Sequence, residues 1–276
     1  SLDHTRLLGS TIKAIATVKA GIIKRGGPVI SAAGSPAADA VIAATAARKR
    51  ARLFQLGRDF VCEVVPQPAA GKAGVEPLAV AVVNRSPRMP PQPTPSTEPY
   101  SIGMAGAHQV INAGVVAVAA RMLDRMGWPI PEAAVAAGIH NTRLPARVEI
   151  RSRKPLVIVD AAHNVDSMKA LVAAIAPLAA RQRPRVLVFA ASGDKQIEAM
   201  LAVARGQFEH VVVTRYRTNP RAAAVERLVA AARGAGLRRV QAAEDPPAAL
   251  RMARRLAGAG GIVCVAGSFF LAAEVM

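Results

Sequence analysis

Five short runs of β-branched and aliphatic residues, each followed by a helix-forming stretch, constrain the second half of the chain more than any other feature. They are PLVIVDAAH from Pro155, RVLVFAASG from Arg185, HVVVTRYR from His210, RRVQAAED from Arg238 and GIVCVAGS from Gly261. The helical stretches between and after them run Asp166 to Ala180, Gln196 to Ala204, Ala222 to Arg233, Pro247 to Leu256 and onward from Ser268. Strands that alternate with helices of this length build a doubly wound, largely parallel α/β sheet, because parallel neighbours need a crossover that only a helix supplies compactly. Such sheets bind ligands beyond the carboxyl ends of their strands. The polar residues gather there: Asp160, His163 and Asn164; Ser192, Gly193, Asp194 and Lys195; Thr214 and Arg215; Gly267 and Ser268.

Upstream, the pattern is different. A helix is expected from Thr11 to Ala20, a strand at Pro28 to Ser31, a helix from Ala37 to Arg50 and a strand at Arg52 to Leu56, which together read as the trailing part of another α/β layer. Nine prolines fall between Pro66 and Pro99, so that stretch is expected to be irregular, with one edge strand at Leu78 to Val83. Met104 to Gly127 reads as a long apolar helix closed by its glycine, and Pro131 to Ala137 as a short one. The expected division is a domain over 1–145, containing the Pro-rich loop 66–99, and a second over 146–276.

The 276 residues are 52% hydrophobic but only 3% aromatic, so the cores must rest on Ala, Val, Leu and Ile. Net charge is +18, and 28 of the 36 basic residues are Arg. That charge points to anionic partners. The scarcity of rings argues against a stacking platform for nucleic acid, and no specific nucleic-acid partner is expected. Arg48, Lys49, Arg50 and Arg52 read as a solvated helix end, where cations suit the dipole. Cys62 and Cys264 match no metal or redox spacing and read as buried free thiols. No apolar run approaches the ~20 residues that span a bilayer, and no signal-peptide pattern is present. A soluble, cytoplasmic, monomeric protein is expected.

The opening SLDHTRLLGSTIKAIATVKAGIIKRG, followed in order by HQVINA, LPARVEI, VDAAHN, GDKQIEAML and the terminal GSFFLAAEV, resembles the folylpolyglutamate synthase and dihydrofolate synthase family of the Mur ligase superfamily. The resemblance implies an ATP- and Mg²⁺-dependent ligase. It would join L-glutamate to dihydropteroate or a reduced folate through an acyl phosphate, so the site should offer positioning and charge neutralisation rather than a nucleophilic side chain.

Residue by residue, the resemblance implies that His4 is a Mg²⁺ ligand and that Lys19 is a lysine carried in N6-carboxylated form. It implies ATP contacts for Asn112, Arg147 and Asp160, and a place for His163 near the incoming glutamate or the γ-phosphate. Taken alone, Lys19 reads as a snorkelling surface lysine, Asn112 as a capping or packing residue and Asp160 as a helix N-cap. Two departures stand out: Val18 occupies a position that is acidic in many relatives, and Ala146 replaces the glycine of their Pro-Gly-Arg.

No GxxxxGK[ST] phosphate loop occurs in the sequence. The expectation is therefore a C-terminal glutamate-ligase domain preceded by the downstream part of a P-loop-type ATPase domain, inactive as a ligase by itself. A UDP-muramoyl amino-acid ligase is the nearest enzymatic alternative. A truncated basic binding module without catalysis is the other.

Overall fold

A computed structural model describes residues 11–66, 78–90 and 98–276. His4 and parts of the Pro-rich stretch lie outside the described residues. The chain divides into two compact units, one of residues 1–103 with 107–142, the other of 104–106 with 143–276.

In the first unit the described residues begin with helix α1 (Ile12–Lys19), whose N-cap Thr11 accepts from the Ala14 N–H at 3.1 Å. Strand β1 (Pro28–Ser31), helix α2 (Pro36–Arg48) and strand β2 (Arg52–Gln55) follow, and β1 pairs parallel with β2. Helix α2 opens with Pro at its first position, where the missing N–H costs no bond. It closes at Arg50, which takes a φ of +51°. Lys49 is not simply solvated there: its Nζ donates to the Ile23 carbonyl at 2.6 Å and ties the helix end to the turn after α1.

Three antiparallel strands come next, β3 (Phe60–Pro66), β4 (Leu78–Asn84) and β5 (Tyr100–Ile102), in the order β3-β4-β5. The LAVAVV run is thus a central strand and not an edge. Its apolar residues have a partner on each side, because FVCEVV and YSI flank the Pro-rich segment and pair across it. Helix α3 (Ala107–Arg125) lies over this sheet. Gly114 marks the close approach, since a Cβ there would fall 2.2 Å from the Cys62 sulfur. Helix α4 (Glu132–Asn141) is held by a buried polar node in which Arg121 Nη2 donates to Tyr100 Oη at 2.8 Å and Tyr100 donates to Glu132. Burial and the adjacent Glu132 push the Tyr100 hydroxyl up to about 12, so it remains a donor.

The second unit is a six-stranded sheet in the order β10-β9-β8-β11-β7-β6. Its strands are β6 (Glu149–Arg153), β7 (Leu156–Val159), β8 (Arg185–Phe189), β9 (His210–Val213), β10 (Val240–Ala242) and β11 (Ile262–Ala266). Five run parallel, and β6 is an antiparallel edge strand on β7. The crossovers are helices α5 (Val165–Ala179), α6 (Ile197–Ala204), α7 (Val225–Gly234) and α8 (Pro246–Ala257), and α9 (Phe269–Val275) ends the chain.

The inner strands are buried along their length, which is why LVIV, RVLVF and IVCVA read as unbroken apolar runs. Val157, Val159, Val186, Val188, Val263 and Val265 face Ala249, Ala253 and Ala257 of α8 and Leu271 of α9. The alanines let α8 sit close to the sheet, which suits a chain so poor in aromatic residues.

From β8 the chain steps outward to β9 and β10, then returns to insert β11 between β8 and β7. That reversal gathers the loops after β7, β8 and β11 at one end of the sheet, the usual place for a ligand in this architecture. Among the described residues, no helix is long and apolar enough to cross a membrane.

Candidate functional site

At the carboxyl end of β7 the chain passes directly into Asp160, which is 6% exposed. Its Oδ1 accepts from the Ala162 N–H at 2.7 Å and its Oδ2 from the Val148 N–H at 2.9 Å. The N-cap reading of Asp160 is corrected here. Asn164 caps α5 instead, in a capping box where its side chain accepts from Ser167 N at 2.9 Å and Ser167 Oγ accepts from the Asn164 N–H at 3.0 Å. Asp160 lies too far ahead of the first helical turn to reach it, and it braces the Arg147 segment.

His163 stands between Asp160 and the cap. Its Nδ1 is 2.9 Å from the Ala161 carbonyl, so Nδ1 carries the hydrogen and Nε2 the lone pair when the ring is neutral. The imidazole is tilted against the ring of Phe269, with centroids 5.3 Å apart. The Arg147 guanidinium sits over that same ring, its Cζ 5.2 Å from the centroid. Phe269 is 48% exposed and therefore carries a cation and an imidazole side by side at the surface.

The ring is placed by the turn before it. Gly267 takes a φ of +118°, its N–H donates to Ala162 O at 2.7 Å, and a Cβ there would lie 2.3 Å from Ala190 O. Ser268 then caps α9 by accepting from Phe270 N at 3.1 Å. Next to this, on the β8 and β9 loops, Ser192 Oγ and Tyr216 Oη form a buried pair at 2.7 Å. Gly193 O accepts from Arg227 Nη1 at 2.7 Å.

Arg147, Asp160 and His163 are thus brought together within the second unit. Lys19 and Asn112 belong to the first. Lys19 is the last residue of α1, exposed, and lines an apolar cavity of about 350 Å³ with Ile15, Ile23 and Ile42. Asn112 is exposed on α3, where its Nδ2 donates to Gln109 Oε1 at 3.0 Å. No three His, Cys, Asp or Glu side chains gather to hold a metal among the described residues. Two contributors were not singled out from the sequence as site residues: Phe269, whose aromatic character was visible in GSFF, and Glu149, which lies inside LPARVEI.

The family model described as "Mur ligase, glutamate ligase domain" matches residues 146–269, starting at the residue before Arg147 and ending at Phe269. Over 223 residues the chain is 30% identical to the folylpolyglutamate synthase of Lacticaseibacillus casei, a match covering 80% of this chain and 48% of that protein. It is 28% identical over 274 residues to the dihydrofolate synthase/folylpolyglutamate synthase of Bacillus subtilis, covering 99% of this chain and 59% of that one. Over nearly its whole length the chain is thus similar to folylpolyglutamate and dihydrofolate synthases, and residues 146–269 match the Mur ligase glutamate ligase domain.

The crystal structure of Mycobacterium tuberculosis folylpolyglutamate synthase complexed with ADP and AMPPCP superposes with a TM-score of 0.81 at 28% identity, covering 99% of this chain and 61% of that one. The chain therefore spans about half to three fifths of the length of these relatives. The stretch matched by the glutamate ligase domain model holds the whole Arg147, Asp160, His163 and Phe269 arrangement.

Proposed function

We propose that the protein is an ATP-dependent ligase that adds L-glutamate to dihydropteroate or to a reduced folate. The observation that carries the reading is the pairing of Arg147 with His163 on the exposed Phe269 ring, at the carboxyl ends of β7 and β11, inside the stretch matched as a glutamate ligase domain.

ATP supplies the phosphoryl group that activates the acceptor carboxylate. The chain's own contribution is to hold charge in place. Arg147 offers a planar fork of donors suited to phosphate oxygens, and no carboxylate is paired with it among the described residues. His163, its ring orientation fixed by the Ala161 carbonyl, stands in this reading near the incoming glutamate or the γ-phosphate. Asp160 supports the nucleotide through the backbone that it braces. Lys19, in carboxylated form, Asn112 on the nucleotide and His4 on Mg²⁺ complete the proposal by resemblance.

In the full-length protein, Arg147→Ala should lower kcat/KM for ATP about 10- to 100-fold, the range for losing a charged hydrogen-bond partner. Asp160→Ala should lower it too. Near-normal ATP use in both variants, each checked to be folded, overturns the reading.

A further inference from the structure

Arg147 is flanked by two residues in left-handed backbone. Ala146 has a φ of +53° and Val148 a φ of +50°, and neither is glycine. The conformation crowds a Cβ against the neighbouring carbonyl, and for β-branched Val148 it is a genuine outlier. Such strain persists only where the surroundings over-determine it.

Here the surroundings are two carboxylates. Glu149 Oε2 accepts from the Ala146 N–H at 2.9 Å, and Asp160 Oδ2 accepts from the Val148 N–H at 2.9 Å. Both strained residues are buried, at 4% and 5% exposure, so neither N–H has water to fall back on. A further bond from Ala161 N to Ala146 O at 2.8 Å ties the segment to the β7 loop.

Two carboxylates beside an arginine would ordinarily form ion pairs with it. Instead Asp160 binds the N–H groups of Val148 and Ala162, while Glu149 binds the Ala146 N–H and, through Oε1, Arg151 Nη1 at 2.9 Å. The bond from Ala146 is also the main reason that the Glu149 carboxyl is held below the ordinary range, so it stays an acceptor. The Arg147 side chain is left on the Phe269 ring with its charge uncompensated by either neighbour.

We propose that Glu149 is a positioning residue for anion recognition by Arg147, its carboxylate fixing the left-handed Ala146 so that the guanidinium stays on Phe269 and away from the acids around it. A glycine at position 146 would meet no such strain. In this chain alanine makes the Glu149 contact necessary. The inference rests on the proposed ATP role of Arg147, and the experiment separates the two.

ATP affinity is measured by calorimetry for the full-length wild type and its variants, with thermal melts as a check on folding. Glu149→Ala should weaken ATP binding about tenfold, the order of effect expected when a strained residue is released. Glu149→Gln keeps an acceptor oxygen and should stay within about threefold of wild type. Glu149→Asp keeps the charge but not the reach, and should behave like Glu149→Ala, which also serves should the alanine variant not fold. Ala146→Gly should restore binding to Glu149→Ala, since glycine adopts positive φ without help. In an Arg147→Ala background, Glu149→Ala should add nothing. Arg151→Ala, which loses the pair with Glu149 Oε1 and the bond to Met276 O but leaves the Glu149–Ala146 contact, should bind ATP like wild type.

Unchanged affinity in both Glu149→Ala and Glu149→Asp overturns the inference, as does failure of Ala146→Gly to rescue, or an equal Glu149 effect without Arg147. If those arms fail while Arg147→Ala still weakens binding, only the positioning role falls. If Arg147→Ala binds ATP as wild type does, or wild type binds none, the functional reading falls and this role with it.

Discussion

Gly267→Ala offers the clearest physical test of how the site is built. Gly267 sits at φ +118°, and an added Cβ would lie 2.3 Å from Ala190 O and 2.9 Å from Phe189 Cε2. The first contact is to backbone in the adjacent loop after β8, so it cannot be relieved by a rotamer change. Conformational strain of about 1–3 kcal/mol adds to overpacking of about 1–3 kcal/mol, for a total of about 3–5 kcal/mol once partial relaxation is allowed. For a domain of this size, each kcal/mol lowers Tm by about 3–5 °C, so a fall of about 10–20 °C is expected.

Gly206→Ala is the matched control, with a φ of +74° but nothing within 4 Å of its added Cβ, and should cost only the strain, about 1–2 kcal/mol. Calorimetric melts of both variants give the comparison. A Gly267→Ala cost within about 1 kcal/mol of the Gly206→Ala cost would refute the claim that the β8 and β11 loops are in close contact. The consequence for function is direct, because Gly267 leads into the ring under Arg147.

Three other outcomes follow from the same bonds. Asp160→Ala strips the buried N–H groups of Val148 and Ala162 of their acceptor and should destabilise by about 2–4 kcal/mol in urea unfolding; a loss under 1 kcal/mol contradicts the bracing role. Burial raises the Asp59 carboxyl, but Arg58, the Gln55 N–H and Arg88 outweigh it and hold it below the ordinary range. Its stabilising contribution is therefore complete above the unfolded carboxylate range and lost as pH falls through the lowered folded value, so Asp59→Asn should flatten the decline of Tm on acidification below about pH 4, and an unchanged acid limb argues against it. Burial pushes the Cys62 thiol up to about 11 and Cys264 higher still, the latter with help from the Asp160 charge. A thiol reagent near neutral pH should leave Cys264 unlabelled in the folded protein and label it on denaturation; rapid native labelling would contradict its burial.

The parallel sheet was legible because strands covered on both faces leave unbroken Val, Leu and Ile runs, and Gly, Pro and Ser mark their ends. Strand β6 was not: EIRSR is a polar edge whose antiparallel pairing on β7 depends on the reach of residues 154–155 between them. The strands β3 and β5 were hidden for a related reason, since each pairs with β4 across proline-rich chain and β5 is only three residues long. At the site, Arg147, Asp160 and His163 were visible as motif residues. The tasks of Glu149 and of the Asp160 carboxylate were not, because they depend on the sign of φ at Ala146 and Val148, which an Ala and a Val do not advertise. Asn164 rather than Asp160 caps α5 because the turn after β7 takes four further residues to reach the helix.

Incubation of the full-length protein that carries this chain with ATP, L-glutamate and either dihydropteroate or tetrahydrofolate, followed by mass spectrometry of the pterin product, tests the central claim most directly. The expected result is a product heavier by one glutamyl residue, formed only when ATP is present and lost in Arg147→Ala. Glutamate addition without ATP, equal yield from Arg147→Ala, or transfer to a UDP-muramoyl acceptor in place of the pterin would contradict it.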